Sequence, residues 1–200
     1  MLPIIVCCNT DKNINVLEAS IRSYSPETEL LKYGFAGASF GESYNSAMDE
    51  AFLSYDELII ANDDVVLTPS TMSEFMIDIE ILKKRHGDKL GVIAVHSNNI
   101  RASQSIKHHH PELRRLDRVS PIFAYISKTA YSVVQFPPLN WYSDDVMCED
   151  LSAHGFFNYA SKAYVHHVGS ATIGTDYAAL NAASMPWLIQ NRPHYLHKWF

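Results

Sequence analysis

The apolar run Leu58-Ile59-Ile60-Ala61 halts on Asn62-Asp63-Asp64, and that stop constrains the chain more than any other stretch. A short continuous apolar run reads as a strand buried on both faces of a mainly parallel sheet. In open α/β sheets, ligands bind just beyond the carboxyl ends of such strands, where these acids stand. Two neighbouring carboxylates repel each other, and a divalent cation with oxygen ligands would offset that repulsion. The competing reading is an Asx-type turn with Asp64 in solvent.

Strand and helix signals alternate around this point. Residues 3–8 are apolar and β-branched, a first strand; Asn9-Thr10-Asp11 then opens a helix carrying Val16, Ala19, Ser20 and Ser23, which Pro26 ends. Residues 29–33 form a weak second strand, Gly34-Phe35-Ala36-Gly37 a loop, and residues 42–53 a helix with Tyr44, Ala47, Met48 and Ala51 on one face. Past the acids, Thr68 reads as a helix cap with Pro69 at the first helical position. Met72, Phe75, Met76, Ile79 and Leu82 form the buried stripe of that helix, and Gly87 closes it. Residues 90–95 and 121–127 are further strands, and residues 128–134 a short helix. Pro137-Pro138 breaks the chain before Trp141-Tyr142-Ser143-Asp144-Asp145, which opens a helix reaching His154. A last strand, residues 163–167, ends in His166-His167, and a helical tail over 176–200 is interrupted at Pro186 and Pro193. The alternation predicts a single α/β domain over residues 1–200, a mainly parallel mixed sheet between helices.

Charge is uneven along this domain. From Arg101 to Arg118 five basic residues face two acids, a net of +3 in a chain of −6. The overall negative balance argues against a surface that coats nucleic acid, while the basic segment is the natural place for an anionic ligand. Residues 97–120 lack periodicity, and a flexible basic loop of that length in a compact domain reads either as a mobile lid over the active-site face or as an ordinary solvated loop. Its His108-His109-His110 reads as a solvated run. Three cysteines, two of them adjacent in an apolar strand, suit buried thiols in a reducing cytoplasm. No apolar run approaches a membrane span, and the start lacks a signal-peptide layout, so a cytoplasmic protein is expected.

Three polar clusters thus stand at strand ends or a helix start: Asn62-Asp63-Asp64, Asp144-Asp145 and His166-His167. Oxygen ligands with an imidazole suit Mn²⁺ or Mg²⁺, leaving positions for phosphate oxygens and water. In a strand, one of His166 and His167 faces inward and the other outward; the pattern leaves open which.

The order of these motifs resembles the family-2 glycosyltransferases of GT-A fold, in particular their small rhamnosyltransferase-like branch, which includes viral members. Ile4-Ile5-Val6-Cys7-Cys8-Asn9-Thr10 resembles the nucleotide-binding first strand, and Ser43-Tyr44-Asn45-Ser46-Ala47 the segment after the Gly-rich loop. Asn62-Asp63-Asp64 is similar to the D-x-D or N-x-D motif, and Ile126-Ser127-Lys128-Thr129-Ala130 to the step ahead of the acceptor site. Asp144-Asp145 stands where the family carries its Glu-Asp pair, and Val165-His166-His167-Val168-Gly169-Ser170 resembles the late metal-binding histidine segment. The resemblance implies a GT-A nucleotide-sugar-binding domain and a metal-dependent, inverting transfer from a nucleotide diphosphate sugar to an acceptor hydroxyl. It implies donor-binding roles for Asn9, Thr10, Asn45, Asn62 and Asp63, and metal binding by Asp64 with His166 or His167. Asp145 is the implied base with Asp144 beside it, and Trp141 and Tyr142 form an acceptor-side sugar-stacking wall. Asn62 departs from the first acid of the motif, which suits a ribose or water contact, and the second strand lacks an acid of the kind that reads uracil. The acceptor stays open among a glycan, a lipid-linked sugar, a protein and a modified DNA base. A nucleotidyltransferase, or a non-catalytic carbohydrate- or nucleotide-binding module, is the alternative.

Overall fold

The computed structural model describes residues 1–8, 11–35, 39–169 and 176–199. Asn9 and Thr10, residues 36–38 of the Gly-rich loop and Ser170 lie outside them. Among the described residues, eight strands are arranged in the order β2-β1-β3-β7-β5-β8-β4, with β6 pairing on β8. These are β1 (Ile4–Cys8), β2 (Leu30–Gly34), β3 (Glu57–Ala61), β4 (Val65–Leu67), β5 (Leu90–Ser97), β6 (Arg114–Arg115), β7 (Phe123–Ser127) and β8 (Phe157–His167). β1, β2 and β3 are parallel, β7 runs opposite between β3 and β5, and β5 and β8 are parallel again. β1, β2, β3, β5 and β8 therefore point one way, and their carboxyl ends share one edge of the sheet.

Period-two alternation explains how this sheet is buried on both faces. Ile4, Val6, Ile59 and Ala61 face α1 (Asp11–Tyr24) and α3 (Thr71–His86), joining Ile14, Leu17, Phe75, Ile79 and Leu82 in one core. Ile5, Cys7, Leu58 and Ile60 point the other way, toward α2 (Phe40–Ala51), α4 (Lys128–Val133) and α5 (Ser143–Ala153), with Tyr44, Met48, Met147 and Leu151. Cys7 and Cys148 sit in this second core, and burial pushes both thiols up to about 12. The C-terminal helices α6 (Tyr177–Asn191) and α7 (Pro193–Trp199) form a small third cluster around Val146, Leu188 and Tyr195, so they dock on α5.

Four details differ from the sequence expectation. Thr68 and Pro69 form a turn ahead of α3, because Thr71 Oγ1 accepts from the Thr68 amide at 2.7 Å and donates to the Tyr164 carbonyl at 2.6 Å. The last strand starts at Phe157, six residues early, since its first half pairs with β5 and β6. Pro186 stands inside α6 without ending it; Ser184 and Leu188 on either side are buried, and that packing holds the helix through a residue that lacks a donor. Residues 97–120 hold β6, a 3-10 turn at Ala102–Gln104 and a Ser97–Ser105 bridge. Buried Gln104 donates to the Val95 and Ser120 carbonyls and accepts from the Ser120 amide.

Candidate active site

At the common carboxyl edge lies a cleft of about 620 Å³. β3 delivers the first acids: Tyr44 donates to the Ala61 carbonyl at 2.6 Å, and the Asn62 amide bonds the Ile122 carbonyl ahead of β7. The chain turns at Asp63-Asp64 and returns as β4, whose Val65 pairs with His167 at the end of β8. That antiparallel register places His167 Nε2 3.1 Å from Asp64 Oδ1. The Val168 amide donates to the Asp64 carbonyl, and the Gly169 amide to Asp64 Oδ2 at 3.2 Å. Gly169 has φ 100°, and a Cβ there would overlap the Asn99 side chain, so the approach demands glycine.

His167 is held from behind. Its Nδ1 donates to the Asn99 carbonyl at 2.6 Å, while the Asn98 amide side chain brackets its backbone by accepting from its N–H and donating to its carbonyl. With the proton on Nδ1, a neutral ring turns an Nε2 lone pair toward the Asp64 carboxylate. Two acceptors at this distance need a positive charge between or upon them, either a proton or a metal ion. In the protonated state, burial would lower the His167 imidazole, but the hydrogen bond and charge of Asp64 outweigh it and raise it. Burial would likewise raise Asp64, yet His167 and the Gly169 amide hold it below the ordinary carboxylate range. Asp63 is raised, by burial first and by Asp64 second.

This pair fits a divalent cation as two protein ligands with an orienting carbonyl behind the ring. Among the described residues no three His, Cys, Asp or Glu cluster as a complete metal cage, so the remaining ligands would have to be phosphate oxygens and water.

Across the cleft, α5 opens on Asp144 and Asp145 in its first turn. Arg101 bridges them: Nη1 donates to Asp145 Oδ1 at 2.9 Å and Nη2 to Asp144 Oδ2 at 3.0 Å, while Nε donates to Ser120 Oγ at 2.7 Å. Arg118 Nη1 adds a contact to Asp145 Oδ1 at 3.3 Å. Burial and then Asp145 raise the Asp144 carboxyl, with Arg101 opposing. The residue before the helix, Tyr142, is left-handed at φ 67°, a costly conformation for a bulky side chain. Its hydroxyl donates to Asn181 and its ring stacks on Trp199, so the C-terminal helices hold that turn.

The cleft collects Asn62, Asp63, Asp64, Trp141, Tyr142, Asp144, Asp145 and His167 from the sequence candidates. His166 is excluded: it is exposed, as the strand's alternation requires once His167 turns inward. Asn45 does not line the cleft either. Its side-chain amide is engaged with the Phe136 backbone, giving to the carbonyl and accepting from the N–H. Sequence reasoning missed Arg101 as an acid-pair partner, although the +3 segment that carries it was visible. It also missed the aromatic lining by Phe35, Phe40 and Tyr177.

The fold is that of a GT-A-like α/β domain. No protein-family model and no curated protein sequence matches the chain. Solved structures do. A197 from STIV aligns over 85% of this chain and 87% of its own with a TM-score of 0.60 at 13% identity. S. aureus TarS 1–349 aligns with a TM-score of 0.57 at 14% identity, over 83% of this chain and 60% of that one, and has also been solved in complex with UDP-GlcNAc. The inositol-1-phosphate CTP transferase from T. maritima aligns with a TM-score of 0.50 at 9% identity, over 92% of this chain and 95% of that one. Identities this low make the likeness one of fold. Among the described residues, no helix is long and apolar enough to cross a membrane.

Proposed function

We propose that this chain is a metal-dependent glycosyltransferase that moves a sugar from a nucleotide diphosphate sugar to an acceptor hydroxyl with inversion. The observation that carries the reading is the pairing of two unlike acid sites in one cleft, Asp64 with His167 and Asp144–Asp145 with Arg101. Asp64 and His167 would hold Mn²⁺ or Mg²⁺, which when bound supplies positive charge against the leaving diphosphate. Asn62 and Asp63 stand beside that pair on the donor side, a role the motif resemblance extends to Asn9 and Thr10. Asp145, fixed by two arginines at the start of α5, accepts the proton of the acceptor hydroxyl. The acceptor oxygen then bonds the anomeric carbon as the bond to the diphosphate oxygen breaks, and the diphosphate leaves with that electron pair. One base and one displacement give inversion. Trp141 and Tyr177, with ring centres 5.5 Å apart, offer a stacking wall for a sugar on the acceptor side. Residues 99–101 and Ser120 line the same cleft, which makes the basic segment 97–120 the candidate lid.

The likeness to a CTP transferase supports nucleotidyl transfer as the second reading. Product analysis separates the two. Sugar transfer releases a nucleoside diphosphate, nucleotidyl transfer from a nucleoside triphosphate releases pyrophosphate, and a binding module releases neither. Incubation with a panel of sugar nucleotides and Mn²⁺ is expected to yield the nucleoside diphosphate, with loss on chelation. Pyrophosphate from a triphosphate plus a sugar phosphate, or no turnover of any donor, would overturn the proposal.

A further inference from the structure

Resting on the transferase reading, we propose that Arg101 is the positioning residue of the acid pair: it holds Asp144 and Asp145 side by side with a guanidinium between them, and so sets the acidic limb of turnover. The geometry is specific. All three guanidinium nitrogens are committed, one to each acid and one to Ser120. Adjacent carboxylates at one helix start repel each other, and burial adds to the cost of charging them. A planar fork can meet two neighbouring acids and a hydroxyl at once, whereas the single ammonium of lysine is a point charge. Ser120 is itself fixed, because the carboxamide of buried Gln104 accepts from its amide and donates to its carbonyl. The clamp is thus built into the basic segment, and it explains why that segment folds back onto the cleft.

Other charged and titratable groups face the pair. Arg118 touches Asp145 at 3.3 Å and Glu149 at 3.8 Å, and it lies over the Trp199 ring. Glu149 is engaged by Lys198 and by Trp199 Nε1. Cys148 donates to the Val119 carbonyl and stays a thiol, because burial pushes it up to about 12. Tyr142, whose hydroxyl is held by Asn181, is raised by burial. Arg101 is the one residue that contacts both acids among the described ion pairs. It stays protonated: burial would lower its guanidinium, but Asp144 and Asp145 raise it.

Removing an adjacent opposite charge raises a carboxylate's pKa by about 1–3 units. Arg101→Gln is therefore expected to move the acidic limb of kcat upward by about one to two pH units, with activity recovering toward wild type at alkaline pH. Arg101→Lys should shift it partway. A purely structural role would instead depress kcat evenly at every pH. The binding-free control is ¹³C NMR titration of the Asp carboxyls in the protein without donor, assigned with Asp144→Asn and Asp145→Asn. Both carboxyl titrations should move upward in Arg101→Gln. Ser120→Ala, which removes the anchor and no charge, should give a smaller shift in the same direction. An unshifted NMR titration in Arg101→Gln overturns the proposal even if sugar transfer is established. Wild-type protein that turns over no donor overturns the functional reading and, with it, the claim on the pH limb.

Discussion

The two acid pairs of the cleft begin alike and are neutralised differently. Asp63-Asp64 follows a strand and meets an imidazole, which can lose its proton and give its place to a metal ion. Asp144-Asp145 opens a helix and meets guanidinium groups, which never lose theirs. The first pair has an exchangeable partner and the second a permanent one. An exchangeable partner suits a cation that arrives with a diphosphate, and a permanent partner suits a carboxylate that must return to the same state after every proton transfer. The difference follows from where each acid stands: β4 pairing on β8 brings a histidine to the first, while a chain crossing from β5 to β7 brings arginines to the second.

The largest expected effect sharpens that division at the helix. Asp145→Asn keeps the side chain's shape and removes the proton acceptor, so kcat should fall by about 10²–10⁴ while donor binding survives. If kcat stays within a few-fold, the base is elsewhere, and Asp144 with its raised carboxyl is the next candidate.

A smaller effect is expected behind the strand-end pair. Asn98→Ala frees the backbone of His167 without touching its ring, and such supporting groups are worth about 10- to 100-fold in metal affinity. Mn²⁺ affinity measured by calorimetry in the presence of donor should drop within that range, with kcat at saturating Mn²⁺ nearly unchanged. An equal loss in Asp145-dependent turnover would mean that the two sites are not separable.

The smallest effect is a pH dependence in the metal-free protein. His167, raised by Asp64, contributes stability that is complete below about pH 6.5 and lost as pH climbs through its raised value. Asp64, held low by His167, contributes stability present above about pH 4 and lost as pH falls through its lowered value. The pair therefore helps most between those limits. His167→Asn should lower Tm by a few degrees at about pH 6 and by less at about pH 9, at roughly 2–4 °C per kcal/mol for a chain of this size. Equal losses at both values would remove the ion pair from the explanation.

Much of this arrangement was legible in the sequence, and the limits have physical causes. Ile59-Ile60-Ala61 and Ile4-Ile5-Val6 are apolar on both faces, and such runs announce central strands. The acids after β3 and at the start of α5 were recognisable because they stand at places where sheets and helices present ligands. The inward face of β8 was not, since alternation fixes that one of two histidines points in and leaves the phase to the pairing with β4. Arg101 was hidden for the same kind of reason: its partners lie 43 and 44 residues away, and local periodicity carries no trace of them. β6 is two residues long and owes its existence to β8. Thr68 and Pro69 have the composition of a helix start, but the Thr71 hydroxyl bonds across to β8 and moves the start onward.

The central claim is that the cleft holds a nucleotide diphosphate sugar through a cation on Asp64 and His167. Thermal unfolding of the wild-type chain and of Asp64→Ala, screened against sugar nucleotides with and without Mn²⁺, tests it most directly. A ligand at one hundred times its dissociation constant stabilises the folded state by about 2.7 kcal/mol, a shift of several degrees for a chain of this size. The expected result is such a shift for at least one sugar nucleotide in the wild type, dependent on Mn²⁺ and absent in Asp64→Ala. No shift with any sugar nucleotide, or an undiminished shift in Asp64→Ala, would contradict it.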